Sequence, residues 1–401
     1  MTTTGSAHDT RPRAGTPAYR RTVIALSAAA VATFAQLWSV QPILPAIAED
    51  FAATASQASL AASLATGGLA GFSLVWSGAA DRFGRSPVIA AGLLAAALLG
   101  CAAAVATDLP ALLALRTLQG AALGGVPAAA VSYLTEQVHP ADAPRATGAY
   151  IAANPLGGMV GRLLAGFATE LGGWRWGIAA DTALGLACLA VFVLVLPRTA
   201  EPAQAAPTAS GRGGRLRAAL TTRGLPALYT QALLLMGAFM ALYNLLGFRL
   251  LQEPFGLSQA AASLLFLAYT AGMVSSAAAG PATARWGPWA VLAASTAIMA
   301  AGAAALATGS LALLLAALLV MTFGFFAAHS TASAWVGRRA GAARAQAMAL
   351  YTLAYYLGAG LFGWAGGLVY DHAGWAGTVG YSTALCALAA LAGLRLRHPP
   401  E

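Results

Sequence analysis

Apolar windows of twenty or more residues recur from one end of the chain to the other, more than a soluble core could bury. They fall at roughly 22–46, 57–77, 86–106, 109–134, 143–167 and 174–196, and again at 225–248, 258–280, 288–307, 310–336, 345–368 and 375–395. Runs of about eighteen or more apolar residues are long enough to span the hydrocarbon core of a bilayer. Only 9% of residues are charged and 59% are hydrophobic, whereas a soluble domain carries about 25% charged residues. The expected fold is an all-α polytopic membrane protein with twelve transmembrane helices.

Between the sixth and seventh windows lies "PRTAEPAQAAPTASGRGGRLRAALTTRG" (197–224), rich in Pro, Gly and polar residues. Such a composition cannot build a packed core and reads as a linker. The domain plan is therefore a tail at 1–21, a six-helix bundle at 22–196, the linker at 197–224, a second six-helix bundle at 225–395 and a tail at 396–401. The first apolar window is too long for the apolar region of a signal peptide and no small-residue cleavage site follows it, so it reads as a retained span.

Arginine carries the orientation. All 22 basic residues are arginine, which fits a GC-rich bacterial genome. With the N-terminus inside, eighteen of them fall in cytoplasmic segments, and only Arg116, Arg162, Arg175 and Arg249 fall elsewhere. Cytoplasmic loops collect Lys and Arg, so both termini and the linker are expected in the cytoplasm of a bacterial cell, with the spans in its inner membrane. The same asymmetry accounts for the net charge of +9 without a nucleic-acid partner.

The two halves match at a nearly constant offset. "ASL" at 58–60 recurs at 262–264, Phe51 corresponds to Phe255, and "DRFGR" (81–85) lines up with "ARWGP" (284–288). Tyr150, Gly157, Gly166 and Trp174 match Tyr351, Gly358, Gly367 and Trp375. Parallel repeats of six spans are expected to hold a substrate site near the membrane midplane, between the halves.

Absences narrow the function. A chain without lysine has no GxxxxGK[ST] phosphate loop, which argues against an ATP-driven transporter built on one. Cys101, Cys188 and Cys386 lie singly in apolar runs and are expected to be buried small hydrophobes, with no disulfide. The few histidines and cysteines form no spaced ligand set, so no metal and no cofactor are expected. No soluble segment is large enough to house an enzyme.

"GAADRFGR" falls in the loop between the second and third spans. It resembles the loop signature of the major facilitator superfamily through Gly78, Asp81, Arg82, Gly84 and Arg85. "RTLQGAALGG" (116–125) resembles that superfamily's fourth-span motif, with Arg116, Gln119 and Gly120 in matching places. "GAYIAANPLGGMVGR" (148–162) resembles the fifth-span motif associated with antiporters, through Gly148, Pro155, Gly157, Gly158 and Gly161, with Asn154 where that motif has Gly. Longer strings, "QPILP", "YNLLGFRL", "FGFFAAHSTASAWVGRRA" and "ALYTLAYYLG", resemble the bacterial branch of arabinose-efflux-type or inner-membrane efflux permeases. The resemblance covers essentially the whole chain and implies two pseudo-symmetric six-helix bundles that alternate in their exposure. It also implies that the loop around Asp81 is a gate. The second copy of that loop has Ala284 opposite Asp81, which makes the gate asymmetric.

A charged side chain near the bilayer centre costs at least ~2.5–3.5 kcal/mol on insertion scales, so each is a functional candidate. Arg116, Arg162 and Asp181 are expected at a similar depth in the first half. Asp181, the one acid well inside a predicted span, is the carboxylate best suited to reversible protonation, or else a fixed partner of Arg116 or Arg162. His329 either carries a proton or is a neutral ring bonded to Ser330 or Ser333. Gln36, Gln41, Gln119, Asn154, Tyr243, Asn244, Tyr351, Tyr355 and Tyr356 are candidate cavity residues, since apolar walls with a few placed polar groups suit small organic ligands. Each has an alternative as a plain helix-to-helix bond. Pro155 and the close glycines either seal the gap between bundles or simply pack helices.

Three readings of function remain open. The first is a monomeric proton-coupled efflux carrier for a small organic molecule, sugar or drug-like. The second is an uptake symporter for a sugar or organic anion, driven by protons or sodium, with Arg116 or Arg162 meeting the anion. The third is a non-transporting scaffold or receptor, which has no need of intramembrane Arg, Asp and His together.

Overall fold

The computed structural model describes residues 11–197 and 212–397. Residues 1–10 and 398–401 of the expected tails and 198–211 of the expected linker lie outside the described residues. Within a bilayer every backbone N–H and C=O needs a partner from the chain itself, and helices supply it locally. The first span is α1 (Pro17–Trp38) followed by α2 (Val40–Asp50). The next five are α3 (Ala55–Phe83), α4 (Arg85–Ala104), the pair α5 (Leu109–Leu123) and α6 (Gly125–Gln137), α7 (Ala143–Gly172) and α8 (Trp174–Val195). After the linker helix α9 (Arg212–Thr221) come α10 (Leu225–Leu251), α11 (Gln259–Ser263) with α12 (Tyr269–Trp286), α13 (Pro288–Ala305), α14 (Leu311–Arg339), α15 (Arg344–Leu357) and α16 (Gly363–Leu394).

Nine helical stretches among the described residues are both long and apolar enough to cross a membrane unaided. One of them, Gly341–Leu394, covers 54 residues and turns back at Gly374, so it forms the eleventh and twelfth spans. Ala55–Phe83 and Ala143–Gly172, 29 and 30 residues long, complete twelve.

In the first half, α1 packs on α7 and α8, α3 on α5, and α4 on α5 and α8. The second half repeats this plan, with α10 on α16, α13 on α14 and α12 on α14. The two bundles meet where α3 lies along α15 and α16, α7 along α11, and α2 along α10. Large apolar side chains such as Leu98, Val193, Leu313 and Leu391 point outward, as a lipid-facing surface requires.

The repeat is visible in backbone geometry. Gly84 (φ 95°, ψ 154°) and Gly287 (φ 78°, ψ 156°) make the same turn between second and third spans of each half. Side chains disfavour this positive φ, so glycine occupies both copies. Added methyls at Gly157 and Gly358 would run into the backbones of Val31 and Leu233, so the fifth span of each half lies against its own first span. Gly166 instead faces Ser263, and Gly367 faces Ser56, each in the opposite bundle.

Two expectations need correction. The linker is not structureless throughout: α9 packs against α15, Ala219 is fully buried, and Tyr229 Oη donates to the Ala219 carbonyl at 2.9 Å. Its "RLRAAL" core is made of good helix formers, which the Pro and Gly around it obscure. The cysteines are also not uniformly buried. Cys386 is buried and Cys188 half-buried, whereas Cys101 is exposed on the outer surface of α4.

Candidate functional site

The described ends of the chain near Arg11 and Arg397, the Gly84 and Gly287 turns and α9 share one face of the molecule, here the terminal face. The opposite ends of the spans form the distal face.

Two polar networks lie on either side of the first span. Pro42 has no N–H to offer the carbonyl of Trp38, and the span breaks between α1 and α2 at Ser39. Arg116, 1% exposed, fills the break from α5. Its two Nη atoms donate to the Gln36 carbonyl at 3.1 Å, Nη2 to the Leu37 carbonyl at 3.0 Å, and Nη1 to Gln119 Oε1. Gln119 Nε2 passes the network to Gln36 Oε1 at 3.1 Å and to the Ala96 carbonyl at 3.0 Å. Asp181, 2% exposed on α8, stands beside this network, but its Oδ1 has no hydrogen-bond partner. None of the groups that receive a hydrogen bond from Arg116 belongs to Asp181. Of the two alternatives open for Asp181, a fixed hydrogen-bonded pair with Arg116 is not formed; backbone carbonyls and Gln119 hold the guanidinium instead.

Arg162 is not part of that cluster. It sits on the other side of the first span, at the seam between bundles, because α7 turns this residue toward α2 and the eighth span. Its Nε donates to Gln41 Oε1 at 2.6 Å and its Nη1 to the Gly158 carbonyl at 2.8 Å. Gln41 Nε2 in turn donates to Asn244 Oδ1 at 2.6 Å and contacts Met240 Sδ at 3.3 Å, which carries the network into the second bundle. Gln41 and Asn244 lie in the first span of their respective repeats. Trp38, Phe266 and Tyr269 surround the guanidinium at 5.1, 5.2 and 4.6 Å from their ring centres. Arg162 Nη2 and the Tyr269 hydroxyl, both buried, face each other and have no further hydrogen-bond partner. A narrow cleft runs beside this group, lined by Gln41, Pro42, Tyr243, Gly247, Ser263 and Phe266 among others. Tyr243 is anchored by its hydroxyl to Thr322 at 2.7 Å.

A second cleft, with a cavity of about 10 Å³, lies in the terminal half of the second bundle between Gln231, Phe325, His329, Tyr351 and Tyr355. His329 bonds neither Ser330 nor Ser333. Its Nδ1 pairs with Tyr351 Oη at 3.0 Å, and its ring packs 4.8 Å from that of Tyr355. Ser330 instead bonds Ser276, and Ser333 bonds the Ser330 carbonyl. Tyr356 stands edge-on to Tyr355 and is buried, while Asn154 is half-buried with its Oδ1 unpartnered.

The distal face ties the bundles together twice. Asp371, at the end of the eleventh span, accepts from the Ala55 and Ser56 N–H groups at 3.1 and 3.2 Å, the first turn of α3. Glu170, at the end of the fifth span, accepts from Ala260 N–H at 2.9 Å, the first turn of α11. Each carboxylate thus caps a helix of the opposite bundle, where the free N–H groups and the helix dipole favour negative charge. Gln259 Nε2 adds a bond to the Pro42 carbonyl at 2.6 Å. These residues, with the aromatic ring set around Arg162, were not among the sequence candidates. The signal was present: "ELGGW" (170–174) and "DHAGW" (371–375) set an acid four residues before the matched tryptophans.

The sequence pattern of the Major Facilitator Superfamily matches residues 26–363 and, in a second match, 228–401. The chain belongs to the Major Facilitator Superfamily. Among its relatives, the inner membrane transport protein YnfM of Escherichia coli K12 is 41% identical over 387 residues, covering 96% of this chain and 92% of the relative. The MFS-type transporter YybF of Bacillus subtilis 168 is 35% identical over 371 residues, covering 92% of both. Solved structures agree in fold. A bacterial homolog of the human lysosomal transporter Spinster, inward-facing and occupied, superposes with a TM-score of 0.78 at 16% identity, covering 95% of this chain and 97% of that one. The xylose transporter XylE of E. coli, in a partially occluded inward-open conformation, gives 0.71 at 14% identity, covering 96% and 99%.

The superfamily loop lies at the terminal face. Asp81 pairs with Arg85 across the Gly84 turn, and Arg85 reaches Glu136 at the end of α6 at 3.2 Å. Arg82 lies over the Phe83 ring, and Gly78 and Gly148 face open space. Asp81, Arg85 and Glu136 thus join the second, third and fourth spans of one bundle. In the span-five motif, Gly157 and Gly161 meet the Val31 and Ala35 backbone of α1, while Gly158 leaves room for the Arg162 guanidinium and Trp38. Pro155 lies inside α7. The glycines therefore pack the fifth span within its own bundle, and the crossing to the other is made by Gly166.

Proposed function

We propose that the protein is a secondary active transporter that exports a small organic molecule in exchange for protons, by alternating exposure of a site between its bundles. One observation carries this reading: the seam encloses a buried arginine bridged by Gln41 to Asn244 and is tied distally by a few exposed hydrogen bonds. Such contacts can break and re-form between two packings of the same bundles. A permanent scaffold gains nothing from a buried unpaired charge, which apolar packing would replace without loss. The cargoes named for solved structures of the same fold, xylose in one and nucleosides in another, support a substrate of small-molecule size. The antiporter-like stretch of the fifth span supports exchange. The arginine asymmetry supports a cytoplasmic terminal face in a bacterial inner membrane, so that the distal ties close the outward side. Asp181 and His329 are the proton-coupling candidates, and all the parts belong to one monomer.

The test uses proteoliposomes that hold a luminal pH dye, with sugars and drug-like amphiphiles added outside. An exchanger that admits cargo expels protons and the lumen turns alkaline; a symporter acidifies it. The expected response is alkaline, and it is lost in Asp181→Asn or His329→Ala. Cargo movement that follows a sodium gradient and leaves luminal pH unchanged would overturn the proton coupling.

A further inference from the structure

We propose that Arg162 seats the negative group of a monovalent organic anion, a carboxylate on an aromatic or apolar body, held at the seam between the bundles. The inference rests on the transporter reading and assigns its site and cargo class. Three observations lead to it. First, of the two arginines buried within the spans, Arg116 is occupied by carbonyls of the broken first span and has Asp181 beside it, whereas Arg162 bonds only neutral groups. A charge this deep is kept when something pairs with it, and no acid among the described residues does so. Second, its Nη2 is buried and faces only the neutral Tyr269 hydroxyl, while Gln41 and Gly158 fix the other nitrogens and so the plane of the guanidinium. Third, the walls beside it are Trp38, Phe266, Tyr269 and Tyr243, with Gln41, Asn244 and Ser263 as the polar edge.

Charge counting narrows the class. A single uncompensated positive group matches one negative charge; a phosphate dianion would call for a second cation, and Arg116 is held on the far side of the first span. The aromatic faces then select a body that can stack or make apolar contact. A sugar, with hydroxyls on all sides, would leave most of them unpartnered against these rings.

The test is equilibrium binding to purified protein in detergent, which avoids the passive leak of weak acids across liposomes. The probes are benzoate, its neutral analogue benzamide, and acetate, followed by the fluorescence of Trp38 and by calorimetry. Benzoate is expected to bind at least about ten-fold more tightly than benzamide or acetate, the scale of one charge-assisted hydrogen bond. Arg162→Gln is expected to abolish that preference, and Arg162→Lys to retain part of it. Should Arg162→Gln fail to fold, Tyr269→Leu is the second variant, with affinity for benzoate reduced and for acetate unchanged. Equal affinity of the wild type for benzoate and benzamide, or no binding of benzoate to folded protein, would overturn the proposal and leave the transporter reading intact. Selective benzoate binding with no proton flux in liposomes for any cargo would do the reverse.

Discussion

The distal carboxylates can be weighed by removing them. Asp371→Ala takes two acceptors from the first turn of α3, and Glu170→Ala takes one from the first turn of α11. Both side chains are exposed, so the relevant scale is the loss of a helix N-cap, about 1 kcal/mol within a range of about 0.5–2. One such loss shifts the balance between closed and open distal faces about five-fold. The two ties share no partner, so the double variant should shift it by about 2 kcal/mol, or about thirty-fold. A protein about 95% closed would then be about 40% closed. Spin labels at Val105→Cys and Ser310→Cys, exposed positions on the distal face of opposite bundles, report the separation by electron–electron resonance. Cys101 and Cys188 are first replaced by Ser, since neither is buried. The expected result is a longer-distance population that appears weakly in each single variant and strongly in the double. Glu49→Gln, an exposed acid on the same face that caps no helix, serves as the control for lost charge. An unchanged distance distribution in the double variant, or an equal response from the control, refutes the idea that these carboxylates hold the bundles together.

Further outcomes follow from single contacts. Arg116→Ala should lower the melting temperature markedly. It strands the Gln36 and Leu37 carbonyls, at about 1–3 kcal/mol for each buried unsatisfied group; thermal unfolding in detergent reads this directly. Asp181→Asn is nearly isosteric and should leave the fold intact, read by thermal unfolding in detergent. If Asp181 carries the proton, this variant still exchanges labelled cargo at equal pH but no longer moves protons with it. Gly157→Leu or Gly161→Leu should prevent a stable monodisperse protein, because a Cβ at either site would lie 2.6 or 2.5 Å from a backbone Cα of α1. Gly148→Ala, in open space, should fold normally.

How much of this was legible depends on the kind of information asked of the sequence. Apolar length and arginine placement make the spans plain, and the repeat follows from a constant offset. Depth along a helix was also readable: Arg116, Arg162 and Asp181 are all deep. Direction around the helix was not. Whether Arg162 faces Asp181 or the opposite bundle turns on how α7 is rotated, and no single-helix pattern carries that. Nor does the pattern reveal that Pro42 breaks the first span where Arg116 can reach its carbonyls, which turns a candidate for coupling into a support for the backbone. His329 went to Tyr351 rather than to its serine neighbours because residues on adjacent helices can lie closer than sequence neighbours that face away. The acids at 170 and 371 were readable but were passed over, since an exposed acid at a helix end is ordinary until its partner is known.

The crossed carboxylates make the seam self-complementary. Glu170 reaches into one half as Asp371 reaches into the other, and Gln41 of one half meets Asn244 of the other between them. That is the arrangement of an isologous interface, in which off-axis contacts occur twice and on-axis residues face their copies. In an unfused six-helix chain every substitution acts twice at such a seam. In one polypeptide the two sides are independent: the acids are Glu170 on one side and Asp371 on the other, and a single arginine stands on one side of the axis, where its counterpart is Gly363.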